Sequence, residues 1–264
     1  MSYLTRENTY LSPERSISWI ASRYPGTAFY ARIIWIIIKA SRLAKRGRYR
    51  NEDWVQSSIA SLRALESVGG RFEIHNLSVI DTLDSPCVFI SNHMSVLETF
   101  VLPCLIQPRQ NVTFVIKESL IDYPFFKYVM RSRNPIVVGR SNPREDLKTV
   151  LKEGENRLNA GISVIIFPQT TRSAVFDEEK FNSLGVKLAR RAKVPVVPIA
   201  LKTDAWGVGS RIKDGGKIQP AKPVRITFGD PFPVKGSGKE EHRQVVEFIA
   251  GNMKVFIDKE GAAG

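Results

Sequence analysis

A histidine and a carboxylate stand five positions apart in the block Asn92 to Glu98, directly after the apolar run Val88 to Ile90. A histidine that an anion holds in one tautomer is a general base able to deprotonate an alcohol near neutral pH. Residues five apart on a straight helix point about 140° away from each other. We therefore place His93 on the turn that enters a helix and Glu98 in its first turns, from which the carboxylate can swing back to the imidazole.

A second role for Glu98 is compatible with the same spacing. Ser95 and Glu98 also form a capping box, in which the glutamate accepts a hydrogen bond from a backbone N–H at the start of the helix. For His93 the alternative is a solvated or structurally bonded turn histidine. The spacing alone leaves these interpretations open.

A second polar block, Phe167 to Ser173 (F-P-Q-T-T-R-S), begins where the apolar run Ser163 to Phe167 ends. Its Arg172 offers a planar set of donors suited to phosphate, with hydroxyl groups beside it. Arg140 likewise follows the short apolar run Ile136 to Val138. Because α/β sheets bind ligands at the carboxyl ends of their strands, two arginines and a histidine at strand ends indicate a site.

The elements that must position these residues alternate along the chain, short apolar runs with longer segments of helical periodicity. This alternation predicts an α/β fold, a mixed, largely parallel sheet flanked by helices. The predicted strands are Phe72 to Ile74, Val88 to Ile90, Val112 to Ile116, Ile136 to Val138, Ser163 to Phe167, Val196 to Leu201 and Val224 to Phe228. The predicted helices are Val96 to Ile106, Tyr123 to Arg131, Pro143 to Asn159, Glu178 to Ala192 and Lys239 to Ile257.

An earlier helical pattern, Glu52 to Val68, ends at Gly69 and Gly70, which are typical of a helix stop. We divide the chain there. Residues 1–68 are predicted to form a basic and apolar helical segment, and residues 69–264 the domain that carries the site.

The charge of the chain is strongly positive, with 39 Lys and Arg against 26 Asp and Glu and a formal net charge of +13. Such a surplus indicates an anionic partner: nucleic acid, an anionic membrane surface, or a phosphorylated or acidic substrate. Most of the surplus lies in the first 50 residues, which hold ten basic and two acidic side chains. The apolar content of 43% excludes general disorder.

The most apolar stretch, Ala28 to Ala40, lies inside this basic region. It is shorter than the roughly 20 apolar residues that cross a bilayer, and it contains Arg32 and Lys39. We expect it to lie in the membrane interface or to dip into one leaflet, with the basic run Lys39 to Arg50 against anionic head groups. The alternative is an ordinary buried helix followed by a solvated basic loop. No nucleic-acid-binding motif accompanies the charge, so nucleic acid is not an expected partner.

The cysteines and histidines give no sign of a metal centre. Cys87 and Cys104 both lie in apolar surroundings and are expected to be buried, reduced thiols. No Cys or His pair has ligand spacing, so we expect no zinc site. We also expect no secretory signal, and a membrane-associated protein at the cytoplasmic face.

Four blocks in order resemble the lysophosphatidate acyltransferase family of glycerolipid acyltransferases. They are the family's N-H-x4-D block at Asn92, His93 and Glu98, a strand ending in Arg140, the F-P-E-G-T-R-S block at Phe167 to Ser173, and a V-P-x-x-P strand at Val194 to Pro198. The segment Lys117 to Arg131 also resembles the family segment between the first two blocks. The resemblance covers about residues 70–235.

This resemblance implies that residues 69–264 form an acyltransferase domain. The reaction implied is transfer of a fatty acyl group from acyl-CoA or acyl-carrier protein to a lysophospholipid hydroxyl, with 1-acylglycerol 3-phosphate as leading acceptor and phosphatidate as product. His93 would be the general base and Glu98 would orient its imidazole, while backbone N–H groups near the turns receive the oxyanion. No metal, cofactor or covalent intermediate is expected. The implied substrate-binding residues are Asn92, Lys117, Arg140, Gln169, Thr170, Thr171, Arg172 and Ser173.

The chain departs from the family pattern at three positions. Glu98 stands in place of Asp, which keeps the charge and adds one methylene. Gln169 and Thr170 stand in place of Glu and Gly, which removes a negative charge and the freedom to adopt positive φ. These changes leave open a different lysolipid head group, or a non-catalytic lipid-binding relative. The retained His93 and carboxylate argue for an enzyme.

Overall fold

The computed structural model describes residues 3–124, 126–169, 171–210 and 213–261. Its strands are β1 (Tyr10–Leu11), β2 (Phe72–His75), β3 (Val88–Ser91), β4 (Val112–Lys117), β5 (Ile136–Val138), β6 (Ser163–Ile166), β7 (Val196–Lys202) and β8 (Val224–Phe228). Its α-helices are α1 (Trp19–Arg23), α2 (Pro25–Lys45), α3 (Asn51–Glu66), α4 (Leu97–Ile106), α5 (Lys127–Arg131), α6 (Pro143–Asn159), α7 (Leu184–Ala192) and α8 (Lys239–Gly261).

These strands form one sheet in the order β1-β2-β8-β7-β3-β6-β4-β5. The five strands from β7 to β5 in that order run parallel to one another. β8 runs antiparallel to β7, β2 pairs parallel with β8, and β1 pairs antiparallel with β2. The predicted mixed, largely parallel α/β sheet is confirmed.

The central strands are buried on both faces, as parallel strands between helices usually are. Phe89, Ile165 and Val197 belong to the core that α2, α3 and α4 cover. Their neighbours Val88 and Val164 belong to the opposite core, which α6, α7 and α8 cover. Successive side chains of a strand alternate between the two faces of the sheet. The near-continuous apolar runs therefore pack against a helical layer on each face.

The N-terminal helices are part of the first core. Phe29 and Ile33 of α2 are buried in the same cluster as Phe228 of β8, and α3 packs on α4. On the other side of α2, Ile34 and Trp35 are 54% and 62% exposed. No helix within the described residues is long and apolar enough to span a bilayer.

The predicted and observed elements differ mainly at boundaries. α5 begins at Lys127 rather than Tyr123, and α7 begins at Leu184, since the predicted start is a separate 3-10 turn at Glu178–Lys180. β1 and α1 were not predicted, because elements of two and five residues are too short to show a period. The division at residue 68 remains a prediction.

Candidate active site

The parallel strands end at one edge of the sheet, and four predicted site segments follow those ends. His93 comes after β3, Lys117 closes β4, Arg140 follows β5, and the block ending in Ser173 follows β6. The strand order places β3, β6, β4 and β5 side by side. The sheet therefore brings together residues that are far apart in the chain.

Half-buried His93 and buried Glu98 form a hydrogen-bonded pair at the centre of this edge. His93 lies on an irregular turn and Glu98 in the first turn of α4, and the imidazole Nδ1 is 2.8 Å from Oε1 of the carboxylate. The His93 side chain is 13% exposed and that of Glu98 is fully buried. Because His93 lies on the turn before the helix, its side chain can contact Glu98, which it could not do if both residues lay on one straight helix.

The Glu98 carboxylate also caps its own helix. The backbone N–H groups of Met94 and Ser95 donate to Oε1 at 2.7 and 3.0 Å. The Thr203 hydroxyl donates to Oε2 at 2.6 Å, and the Ser95 hydroxyl lies 3.0 Å from the same oxygen. One carboxylate therefore accepts from backbone N–H groups at the start of α4 and also hydrogen-bonds the imidazole, so the two interpretations of Glu98 are compatible.

Burial by itself would raise the pKa of Glu98, but the hydrogen bonds from His93 and Thr203 outweigh it and hold this pKa below its ordinary 4.5. The carboxylate is thus ionised near neutral pH and can only accept hydrogen bonds. In the neutral imidazole of His93, Nδ1 must then carry the proton, and Nε2 has the free lone pair. Within the described part of the chain, no residue hydrogen-bonds Nε2. This is the tautomer that a general base requires.

The second block fixes the position of His93. The Phe167 ring stacks on the imidazole with 4.4 Å between centroids and 19° between planes. The backbone N–H of His93 donates to Gln169 Oε1 at 2.6 Å, and the Ser173 N–H donates to the His93 carbonyl at 2.9 Å. The turn that follows β6, residues 167–173, is called the β6 turn. It contacts the ring of His93 and hydrogen-bonds both the N–H and the carbonyl of that residue.

Asn92 and Gln169, both predicted to bind substrate, are buried. The Asn92 amide donates to the Leu201 carbonyl at 2.7 Å and accepts from the Leu201 N–H at 2.9 Å, which ties the end of β3 to β7. Gln169 uses its oxygen on the His93 backbone. In this structure both side chains position the histidine turn; a contact with substrate stays a prediction.

Arg172, the predicted phosphate ligand, is paired with a residue that the sequence did not single out. Its Nη1 donates to Asp214 Oδ1 at 2.5 Å. The Asp214 loop is fixed from α2, since the Tyr30 hydroxyl donates to Gly216 O at 2.5 Å and accepts from Trp206 Nε1 at 3.0 Å. Arg172 therefore links the turn that follows β6 to a loop anchored on an N-terminal helix.

Arg140 and Lys117 line the outer part of the same edge, and both are exposed. Arg140 adopts a left-handed backbone with φ of 61°, and its N–H donates to Asp146 Oδ2 at 2.9 Å in the first turn of α6. The Gly139 N–H donates to Oδ1 of the same carboxylate at 3.1 Å. Asp146 therefore shapes the turn that presents Arg140.

The remaining predicted ligands lie on the β6 turn. Thr171 is exposed, and the Ser173 hydroxyl donates to the Val175 carbonyl at 2.7 Å. Thr170 lies outside the described residues, so its predicted contact stays a prediction.

Comparison with known proteins identifies the family of the chain. The family model described as Acyltransferase matches residues 71–202, which hold the His93 and Glu98 pair and the β6 turn. The chain belongs to the acyltransferase family.

Curated relatives of this acyltransferase carry a more specific name. This chain is 33% identical to the 1-acyl-sn-glycerol-3-phosphate acyltransferase of Pseudomonas aeruginosa over 196 residues, which are 73% of this chain and 71% of the relative. It is 30% identical over 239 residues to a chloroplastic 1-acyl-sn-glycerol-3-phosphate acyltransferase of Brassica napus, covering 86% of this chain and 66% of that protein.

The fold of the acyltransferase is also found in a crystal structure. The 1-acyl-sn-glycerophosphate (LPA) acyltransferase PlsC of Thermotoga maritima is similar with a TM-score of 0.64 at 18% identity, over 89% of this chain and 95% of that one. At this identity the similarity shows the fold alone.

The sequence did not identify three residues that contact the predicted site residues. Phe167 was placed at the end of a strand and at the start of the second block but was given no role in the site, although it stacks on His93. Thr203 directly follows β7, the parallel neighbour of β3, so a search for hydroxyls at strand ends would have found it. Asp214 carries no such signal, because it reaches Arg172 from a long loop.

Proposed function

We propose that this acyltransferase moves a fatty acyl group from acyl-CoA or acyl-carrier protein to the hydroxyl of 1-acylglycerol 3-phosphate, giving phosphatidate. The observation that carries the proposal is the hydrogen-bonded pair of His93 and buried Glu98, whose 2.8 Å bond leaves Nε2 as a base at the edge that also holds Arg172. The acceptor is taken from the names of the relatives in Pseudomonas aeruginosa and Brassica napus.

In the chemical step, His93 accepts one proton and later returns it. Nε2 removes the hydroxyl proton as the acceptor oxygen attacks the thioester carbonyl, and a carbon–oxygen bond forms. The tetrahedral intermediate collapses, the carbon–sulfur bond breaks, and the imidazolium returns the proton to the departing thiolate. Buried Glu98 stabilises the imidazolium between these two transfers. The residues of the chain thus account for the proton balance of the reaction.

Basic side chains around the edge suit the phosphate of the acceptor. Arg172 offers a planar guanidinium, and Arg140 and Lys117 extend positive charge along the ends of β5 and β4. Asp214 already accepts a hydrogen bond from Arg172. A phosphate that binds this guanidinium would therefore either displace the Asp214 carboxylate or share the guanidinium donors with it. This ion pair sets the site to discriminate among head groups by charge.

The N-terminal surface suits attachment to a membrane with anionic lipids, at the cytoplasmic face. Trp19 and Ile20 on α1 are 76% and 64% exposed, and Ile34 and Trp35 on α2 add to this apolar surface. Ten basic residues lie within the first 50 positions. Exposed aromatic side chains beside basic ones are typical of helices that lie in the interface.

A panel of acceptors tests the proposed reaction. The purified protein would be given one acyl donor at a time, acyl-CoA or acyl-carrier protein, with lysophospholipids that differ only in head group. We expect the largest rate of phospholipid formation, measured by mass spectrometry, with 1-acylglycerol 3-phosphate. The matched control is 1-acylglycerol, which lacks the phosphate and should react poorly. A higher rate with another head group would overturn the proposed acceptor.

A further inference from the structure

A groove between α2 and α3 lies apart from the acyl-transfer site. It has a volume of about 580 Å³, and none of the predicted or observed active-site residues lines it. This volume lies within the roughly 300–1,000 Å³ that small-molecule sites usually have. The groove is therefore large enough to hold part of a lipid.

The rim of the groove is cationic. Arg15, Arg32 and Arg63 line it, whereas no Asp or Glu is among the described residues that do so. Arg32 donates to the Ser67 hydroxyl, and Arg15 lies 3.7 Å from the buried carboxylate of Glu66. Arg63 is exposed and forms no ion pair with any described residue. The three guanidinium groups provide more donors than these contacts use, and guanidinium donors suit a phosphate.

The floor and one wall of the groove are apolar. Ile59, Ala60 and Ala64 of α3 face Ile36 of α2 across it, and Trp35 borders it with 62% of its surface exposed. A cationic rim over an apolar floor matches an amphiphile with an anionic head and a hydrocarbon chain. Inorganic phosphate would leave the apolar floor uncovered, and a nucleic acid would not use it.

We propose that this groove binds one anionic glycerophospholipid of the membrane, with its phosphate between Arg32 and Arg63 and an acyl chain along Trp35 and Ile59. The proposal rests on the proposed membrane attachment, because Trp35 belongs both to the groove and to the exposed apolar surface of α2. The bound lipid is neither acceptor nor donor. It would hold α2 against α3 and fix the orientation of the enzyme on the bilayer.

Calorimetric titration of the full chain tests the site with three soluble probes: dihexanoyl phosphatidylglycerol, dihexanoyl phosphatidylcholine and inorganic phosphate. We expect one molecule of the anionic lipid to bind, and at least about tenfold more tightly than the other two. Arg63→Gln should weaken that binding by about ten- to a hundredfold. The matched control is Arg48→Gln, which removes an exposed arginine of the N-terminal basic region outside the groove and should have little effect.

Two further variants test whether the anionic lipid binds in the groove or at the acyl-transfer site. Ala60→Trp fills the groove without a change of charge and should abolish binding, whereas Arg172→Gln alters the acyl-transfer site and should not affect it. Equal affinity for the anionic and zwitterionic lipids, or loss of binding in Arg172→Gln rather than Arg63→Gln, would overturn the proposal. If Ala60→Trp does not fold, the comparison of Arg63→Gln with Arg48→Gln still decides.

Vesicle sedimentation separates this proposal from the attachment on which it rests. With vesicles of phosphatidylcholine mixed with phosphatidylglycerol, Arg63→Gln should bind more weakly than Arg48→Gln. Failure of the wild-type chain to sediment, with short-chain lipid still bound, would refute the attachment and leave the lipid site standing. Sedimentation without short-chain binding would refute the lipid site alone.

Discussion

The guanidinium of Arg172 donates to the carboxylate of Asp214, with 2.5 Å between Nη1 and Oδ1. Both side chains are partly exposed, at 20% and 36%. Tyr30 of α2 and Trp206 hold the backbone of the Asp214 loop. An arginine suited to phosphate is thus already paired with a carboxylate, and helix α2 supports the loop that carries that carboxylate.

Neutralising Asp214 should strengthen binding of the phosphorylated acceptor. Asp214→Asn keeps an oxygen that can accept from Arg172 and removes the charge that repels phosphate. We expect KM for 1-acylglycerol 3-phosphate to fall about two- to fivefold with little change in kcat. Asp258→Asn, at an exposed position of α8, is the control for general charge. A rise in KM for Asp214→Asn would show that the carboxylate positions Arg172 rather than competes for it.

Thr203 should be needed both for stability and for the geometry of the base. Thr203→Val has nearly the same shape but loses the 2.6 Å hydrogen bond to buried Glu98. We expect the free energy of unfolding in urea to fall by about 1.5–3 kcal/mol, together with a lower kcat. Thr171→Val, at an exposed position of the β6 turn, should leave unfolding unchanged. Equal stability of the two variants would contradict the assigned role.

The pH dependence of stability should follow two carboxylates, buried Glu98 and half-buried Asp204. Burial opposes ionisation of Glu98 and Asp204, but hydrogen bonds from His93 and Thr203 to the first, and from Lys202 and Lys222 to the second, place both pKa values below their ordinary 4.5 and 3.8. The stability that these groups contribute is complete above the unfolded pKa. It is lost as the pH falls through the lower folded pKa.

Urea unfolding of the wild type and of Glu98→Gln between neutral and acid pH measures this contribution. The wild type should lose more free energy of unfolding on acidification than the variant, because the variant has no carboxylate to protonate at position 98. Parallel pH profiles would mean that Glu98 titrates at the same pH in the folded and unfolded states.

Membrane attachment is best tested by substitution rather than by deletion of the first 50 residues. Phe29 and Ile33 of α2 are buried in the core, so a deletion would unfold the protein as well as remove a membrane surface. We expect Trp19→Ser with Ile20→Ser to lower vesicle binding at least about tenfold, because two exposed apolar side chains are lost.

The control for this loss of apolar surface is the pair Val255→Ser and Ile257→Ser on α8, at positions that are 49% and 57% exposed. This pair should bind vesicles as the wild type does. Equal loss of binding by both pairs would contradict an attachment surface on α1.

The sheet and its site edge could be predicted from sequence because each strand from β2 to β8 has its own apolar run. β5 and β8 agree residue for residue, and α6 begins where Asn142 and Pro143 give a typical start signal. The two cysteines were predicted to be buried thiols, and both are buried and free. Local pattern was sufficient wherever a single segment decided the outcome.

The parts that could not be predicted depend on contacts between distant segments. The spacing of His93 and Glu98 could not decide whether the carboxylate caps or orients, because only the folded turn brings Thr203 and the imidazole to it together. The ion pair of Arg172 with Asp214 joins two loops, and neither loop has a pattern that names the other. Tertiary packing determined these features.

His93→Ala tests the central claim, that the histidine is the general base of acyl transfer. Glu98 would keep the donors of Met94, Ser95 and Thr203, so the variant should fold. The measurement is thiol release from acyl-CoA with 1-acylglycerol 3-phosphate, with His75→Ala as the matched control. We predict a rate about 10²- to 10⁴-fold below wild type for His93→Ala alone. Thiol release at the wild-type rate by a folded His93→Ala protein would contradict the account.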